Sequence, residues 1–170
     1  MNDLYFMQAA YTIGKRDSTD PSTQNGCVLV DPCYEKIVGH GANHFPGGVA
    51  DNYTVKERWE RPLKYSYVEH AERNAIYNAA CNGIKTSGLH MYCYWAACAE
   101  CARAIIQSGI TRLVTHKIIM DATYDRWKDT IEIAFGMMRE AGICLDQIEE
   151  PIDIEIRFNG KLWTPNGKIK

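Results

Sequence analysis

The sequence predicts an α/β layered sandwich with parallel strands in part of its sheet, and three observations carry that prediction. Through the middle of the chain, segments with helical spacing alternate with short apolar runs, the pattern that stacks helices on a sheet. The 170 residues are one domain's length, and 46% hydrophobic with 24% charged residues is the composition of an ordinary globular protein. The tail departs from the alternation: Ile152, Ile154, Ile156 and Phe158 alternate strictly, then come Asn159-Gly160 and Leu162-Trp163, the marks of a hairpin. Disordered, collagen-like and low-complexity readings are excluded by the same composition.

The elements follow in order. Leu4, Phe6, Met7, Ala10 and Tyr11 recur at helical spacing and predict a first helix that ends near Gly14. Residues 15–25 are polar, contain Pro21 and read as a loop. Residues 27–30 and 36–40 are apolar runs around Asp31-Pro32, a predicted hairpin. Residues 39–51 are rich in Gly around Pro46, and 51–64 are polar; ordered connections this long are usually functional. A helix is predicted over 70–81, a strand over 89–95 and a helix over 99–107, closed by Gly109. A strand over 112–115, a helix over 127–140 ended by Gly142 and a short strand over 143–145 complete the body. No repeat or long linker interrupts the chain, so 1–170 reads as a single domain, with 151–170 as its hairpin tail.

Charge narrows the partner. Lys and Arg number 19 and Asp and Glu 21, a net charge of −2. A protein that binds long polyphosphates usually carries a basic surplus, so a small substrate is favoured and nucleic acid is not expected. No apolar run approaches the roughly 18–20 residues that span a bilayer, so no membrane partner is expected. The first eleven residues carry Asp3 and no basic segment, unlike a secretory signal, which makes the cytoplasm the expected compartment. Seven cysteines, an odd number, suggest buried thiols or a metal site sooner than a disulfide framework.

Two short segments carry the chemistry. His70-Ala71-Glu72 opens one predicted helix, and Cys98-Ala99-Glu100-Cys101 opens the next. Cys-x-x-Cys at a helix start sets thiols over the positive end of the helix dipole, which favours thiolate and metal ligation. One imidazole and two thiolates make a three-ligand zinc set with the fourth tetrahedral position open, as in catalytic sites. Glu72, two residues from His70, is placed to shuttle a proton. Alternative readings are a redox pair or half of a structural site, with Cys27, Cys33, His40, His44, His90 or Cys93 as the fourth ligand. Against both stands the ordered combination: His-Ala-Glu on one helix start and Cys-x-x-Cys on the next, joined by a strand, as in zinc deaminases.

Further segments extend the likeness. Asp20-Pro21-Ser22-Thr23-Gln24 precedes Gly26; Lys36-Ile37-Val38-Gly39 leads to Gly41-Ala42-Asn43 and Pro46-Gly47; Lys64-Tyr65-Ser66-Tyr67-Val68 runs into the His70 segment; Ile105-Ile106-Gln107-Ser108-Gly109-Ile110 follows Cys101. On these residues, from about Ser18 to Gly142, the chain resembles the cytidine and deoxycytidylate deaminase superfamily, above all its deoxycytidylate branch. The resemblance implies a three-layer α/β/α cytidine deaminase-like sandwich with a mixed, roughly five-stranded sheet, extended here by the C-terminal hairpin. It implies one catalytic Zn2+ held by His70, Cys98 and Cys101, with Glu72 as the catalytic proton shuttle. It implies substrate contacts from Asn43 at the sugar, from Lys64 and Tyr67 along the nucleotide, from the Ala71 backbone at the base edge and from Tyr124. Lys64 also reads as a solvated lysine, and Tyr124 as a core or rim aromatic.

The implied reaction is hydrolysis of dCMP to dUMP and ammonia, supplying dUMP for thymidylate synthesis. Rival readings are a superfamily deaminase for a nucleoside, nucleobase or modified deoxycytidylate, and a non-catalytic zinc-folded binding module. The resemblance also implies a homo-oligomer and makes dCTP and dTTP candidate effectors, whose action the sequence does not decide. Departures from the family pattern are Ala97 where Pro is usual, Asn25 where an apolar residue is usual, His44-Phe45 in the glycine-rich loop and Tyr94-Trp95-Ala96 before the first Cys. Trp95 reads as core filler sooner than pocket wall.

Overall fold

The structure, a computed structural model, describes residues 2–51 and 53–166, with side chains at all of these except 53 and 124–127. In chain order the elements are α1 (Asp3–Asp17), β1 (Gly26–Asp31), β2 (Lys36–Ala42), a 3-10 helix (Tyr53–Trp59), α2 (Lys64–Tyr67), α3 (Ala71–Cys81), β3 (His90–Cys93), α4 (Ala99–Gln107), β4 (Arg112–His116), α5 (Lys117–Asp121), α6 (Tyr124–Glu140), β5 (Cys144–Ile148), β6 (Ile156–Phe158) and β7 (Lys161–Trp163). The main sheet has the order β2-β1-β3-β4-β5. Its first three strands run antiparallel to their neighbours, while β3, β4 and β5 are parallel. Parallel neighbours need crossovers, and α4 and the α5–α6 pair supply them. The mixed five-stranded sheet is the one expected.

Alternation along the strands splits the core in two. Leu29, Met91 and Leu113 face Ala75 of α3, Ile105 of α4 and Met138 of α6. Their neighbours Val28, Tyr92 and Val114 face the other way, onto Phe6, Met7 and Tyr11 of α1 and Ile119 of α5. Helices therefore cover both faces, giving three layers. The edge strands β2 and β5 carry the exposed positions, whereas β1 is buried almost throughout.

Several boundaries move for physical reasons. Helix α1 continues past Gly14 to Asp17, because Gly14 is a contact residue and no stop: a Cβ there would lie 2.2 Å from Tyr94 Oη and 2.9 Å from Gly26 N. Helices α2 and α5 were not expected; at four and five residues they are too short to show a periodicity. Helix α6 starts three residues earlier than its apolar spacing suggests, and β5 begins at Cys144 and runs on to Ile148. In the tail, only Ile156–Phe158 of the alternating run becomes a strand, because only it forms a ladder, with Lys161–Trp163. Asn159 and Gly160 form the turn with φ of 51° and 78°, both positive as a two-residue turn of this kind requires. Ile152 and Ile156 are buried on the α1 face.

Candidate active site

Two helix starts build the site. His70 and Cys98 are the N-cap residues of α3 and α4, both in extended backbone, and neither side chain caps its own helix. The two are therefore free to meet. A bridge between His44 and Glu69 holds the residue before His70, and Glu69 accepts hydrogen bonds from His70 N (3.0 Å) and from Arg73 Nε. Arg73 then reaches from α3 to Glu100 on α4 (2.8 Å), tying the two helix starts together. Gly41 lets β2 pass close beneath: a Cβ there would lie 2.3 Å from Ala75 N.

At this junction His70 Nδ1 lies 3.6 Å from Cys98 Sγ and 3.5 Å from Cys101 Sγ. The three ligand atoms fall within 4.8 Å of one another, the one such cluster among the described residues. Cys27 and Cys93 face each other across β1 and β3, and Cys33, Cys81 and Cys144 are exposed. None of the alternative fourth ligands joins the cluster. The Cys98 thiol is pushed well below its ordinary value, first by a hydrogen bond from Cys101 and then by His70, while Cys101 is pushed up as that bond's donor. Burial draws His70 down, but the hydrogen bond with Cys98 and the charges of Glu72 and Cys98 outweigh it, leaving it raised. Soft thiolates with an imidazole are a donor set that suits zinc.

Glu72 lies in the first turn of α3, 1% exposed. Burial raises its pKa, opposed by the nearby His70. Its Oε2 has no hydrogen-bond partner among the described residues. An unpaired buried carboxylate oxygen is costly, and such cost is carried where function needs it. A cation in the cluster and a ligand in the pocket are the partners its position offers.

His70, Glu72 and Cys98 line a pocket together with Asn25, Asn43 and Lys64. Asn43 is at the site, with its amide committed to the scaffold: Oδ1 accepts from Asn25 N (2.7 Å) and Ser18 Oγ (2.6 Å), and Nδ2 donates to Thr23 O (2.8 Å) and Asp20 Oδ2 (3.1 Å). Lys64 is no solvated lysine: its side chain is 8% exposed and its Nζ lies 2.6 Å from Asp20 Oδ2. Tyr67 is not among the pocket-lining residues. It packs on Phe45 (5.3 Å between centroids) under the Arg58 guanidinium, and Tyr65 and Val68 line the pocket in its place. Ala71 is wholly buried in the core between two lining residues. The Tyr124 side chain lies outside the described residues. Trp95 is corrected: it is half-buried in the pocket wall and donates from Nε1 to Thr123 Oγ1 (3.0 Å). Sequence reasoning missed Arg61 and Asn159, both at the rim. Arg61 lay in an unpatterned loop, and Asn159 was legible only as a turn residue.

A layered α/β/α fold with a His-Cys-Cys cluster at paired helix starts defines the class of zinc-binding deaminase domains. Residues 1–117 match the family model described as the cytidine and deoxycytidylate deaminase zinc-binding region. The chain belongs to the cytidine and deoxycytidylate deaminase family. It is 42% identical over 113 residues to the deoxycytidylate deaminase of Homo sapiens, covering 65% of this chain and 61% of that one. It is 34% identical over 149 residues to an uncharacterized deaminase of Aliivibrio fischeri, covering 88% of this chain and 93% of that one. The chain thus spans about three fifths of the length of the mammalian relatives it matches. The dCMP deaminase of cyanophage S-TIM5 shares the fold, with a TM-score of 0.61 at 19% identity over 86% of this chain and 96% of that one.

Proposed function

We propose that this protein hydrolyses dCMP to dUMP and ammonia, with His70, Cys98 and Cys101 holding one zinc ion and Glu72 moving the protons. The observation that carries the reading is Glu72, a buried carboxylate with an unpartnered oxygen beside three convergent metal-ligand atoms. Zinc bound by these residues supplies a Lewis acid that makes water nucleophilic near neutral pH. Glu72 takes one proton of the attacking water and passes it to ring N3. It then takes the remaining hydroxyl proton at C4 and delivers it to the amine, which leaves as ammonia as the C4 carbonyl forms. A carboxylate raised by burial suits a residue that must both accept and return protons.

The choice of dCMP is supported by relatives named deoxycytidylate deaminase. For the 5′-phosphate, the charge of Lys64 is already matched by Asp20, so Arg61 at the rim, without an ion-pair partner among the described residues, is the better placed cation. Assembly as a homo-oligomer in the cytoplasm, with dCTP and dTTP as effectors, belongs to the same reading and is supported by family membership. Among the described residues, no helix is long and apolar enough to cross a membrane. The test is ammonia release by the zinc-loaded chain from dCMP, deoxycytidine, CMP and guanine side by side. Turnover of dCMP with deoxycytidine far behind is expected, because the site's cation is otherwise left without its anion. Equal turnover of the two, or preference for guanine, overturns the assignment.

A further inference from the structure

The pocket is completed by the C-terminal hairpin, which lies beyond the stretch that matches the family model. We propose that Asn159, at the turn of that hairpin, contacts the substrate by hydrogen-bonding the sugar–phosphate end of the nucleotide, so that the tail helps set which nucleotides are accepted. The proposal rests on the dCMP reading above.

The hairpin is fixed to the pocket wall from two sides. On one side it pairs with the loop that carries Asp20, Thr23 and Asn25: Gln24 N donates to Arg157 O (2.9 Å), Arg157 N to Gln24 Oε1 (2.8 Å), Asn159 N to Thr23 Oγ1 (3.2 Å) and Gly160 N to Ser22 O (2.7 Å). On the other side Phe158 packs against Trp95 of the pocket wall, with centroids 5.6 Å apart. Buried Ile152 and Ile156 anchor its base. Four hydrogen bonds, an aromatic contact and two core residues make this a wall.

Three asparagines line the pocket, and two of their amides are spoken for. Asn43 is saturated by the scaffold, and Asn25 bonds Gly26 N (3.0 Å) and the Cys93 thiol (3.4 Å). Only the Asn159 amide makes no hydrogen bond among the described residues. Depth then decides which part of a ligand it meets. C4 of the base must reach Glu72, which is buried as Asn25 and Asn43 are, whereas Asn159 and Arg61 are exposed lining residues at the rim. The end of the nucleotide remote from C4 is the sugar–phosphate. An amide both donates and accepts, which suits a sugar hydroxyl as well as a phosphate oxygen.

Steady-state kinetics of the zinc-loaded full chain test this. Asn159→Gly deletes the amide and leaves a φ of 51° unstrained. KM for dCMP should rise about tenfold with kcat within about twofold and the melting temperature unchanged, because the interaction lost is a binding one. Asn159→Asp keeps the size and the turn preference but adds an anion at the rim, and should lower kcat/KM for dCMP more than for deoxycytidine. Wild-type KM in Asn159→Gly together with unaltered discrimination in Asn159→Asp overturns the proposal. A lowered melting temperature with unchanged KM also overturns it, by making Asn159 a turn residue only. A wild-type chain inactive on dCMP fails the functional reading and this proposal with it. An active wild type with both variants kinetically silent fails Asn159 alone.

Discussion

Glu72 shows how a single side chain can be both cost and purpose. Its oxygen is buried without a partner, so replacing it by a neutral isostere should relieve electrostatic cost while removing chemistry. In Glu72→Gln, zinc content and melting temperature should hold while kcat falls by at least about 10³, since in the proposed mechanism one residue serves several proton transfers each worth about 10²–10⁴. Metal analysis beside turnover checks both halves. Loss of zinc in that variant would make Glu72 a ligand and require new roles for His70 and Glu72. Trp95 carries the opposite lesson at this scale. An indole at the end of a strand predicted over 89–95 reads as core, but β3 ends at Cys93, and the chain that follows turns Trp95 to the pocket wall, where Thr123 takes its N–H and Phe158 packs on its ring.

Between elements, close approach sets the site's precision. Strand β2 and helix α3 touch through Gly41, where a Cβ would lie 2.3 Å from Ala75 N, 2.7 Å from Ala71 O and 2.8 Å from Asn74 C. All three are backbone atoms, so no rotamer change can relieve the clash. Gly41→Ala should push α3 off the sheet, cost on the order of 2 kcal/mol or more in denaturant unfolding, and weaken zinc retention because His70 moves with its helix. Normal stability and full metal in that variant would show that the two elements can slide past one another. The periodic elements α1, α3, α4 and α6 were legible because each repeats an apolar face over nine to seventeen residues. Helices α2 and α5 are single turns between larger elements, and no spacing announces them.

Across the whole molecule, the metal cluster ties two helices of one layer, and a buried polar contact joins the sheet to the other helix layer. Zinc at His70, Cys98 and Cys101 would cross-link two helix starts, so Cys98→Ala, or a strong chelator on the wild type, should lower the melting temperature by several degrees and remove the metal. Full zinc in Cys98→Ala would overturn the ligand set. His116, fully buried on β4, joins α1 to the chain after β5: its Nδ1 lies 2.7 Å from Tyr11 Oη and its Nε2 3.1 Å from Glu150 O. Burial holds its pKa below the ordinary value, opposed by Glu150. The unfolded chain therefore binds a proton that the folded chain refuses. Stability should fall as pH drops below about 6.5, levelling only once the folded His116 titrates. Denaturant unfolding between pH 7.5 and 5 checks the slope, which His116→Asn should flatten.

Local spacing alone places the candidate metal and carboxylate residues and sets the order of the main elements. His70, Glu72, Cys98 and Cys101 sit at two helix starts whose positions are written in local spacing, and the Asn159-Gly160 turn is written in two adjacent residues. Packing of distant segments sets what surrounds those residues. Asp20 neutralises Lys64 across 44 positions, Gly14 serves Tyr94 and Gly26 where it was read as a helix stop, and a turn near the end of the chain stands beside residues 20–25. Helix and turn signals act within a few residues. Those partners meet only after five strands take the order β2-β1-β3-β4-β5, and no local pattern states which distant residues that order brings into contact.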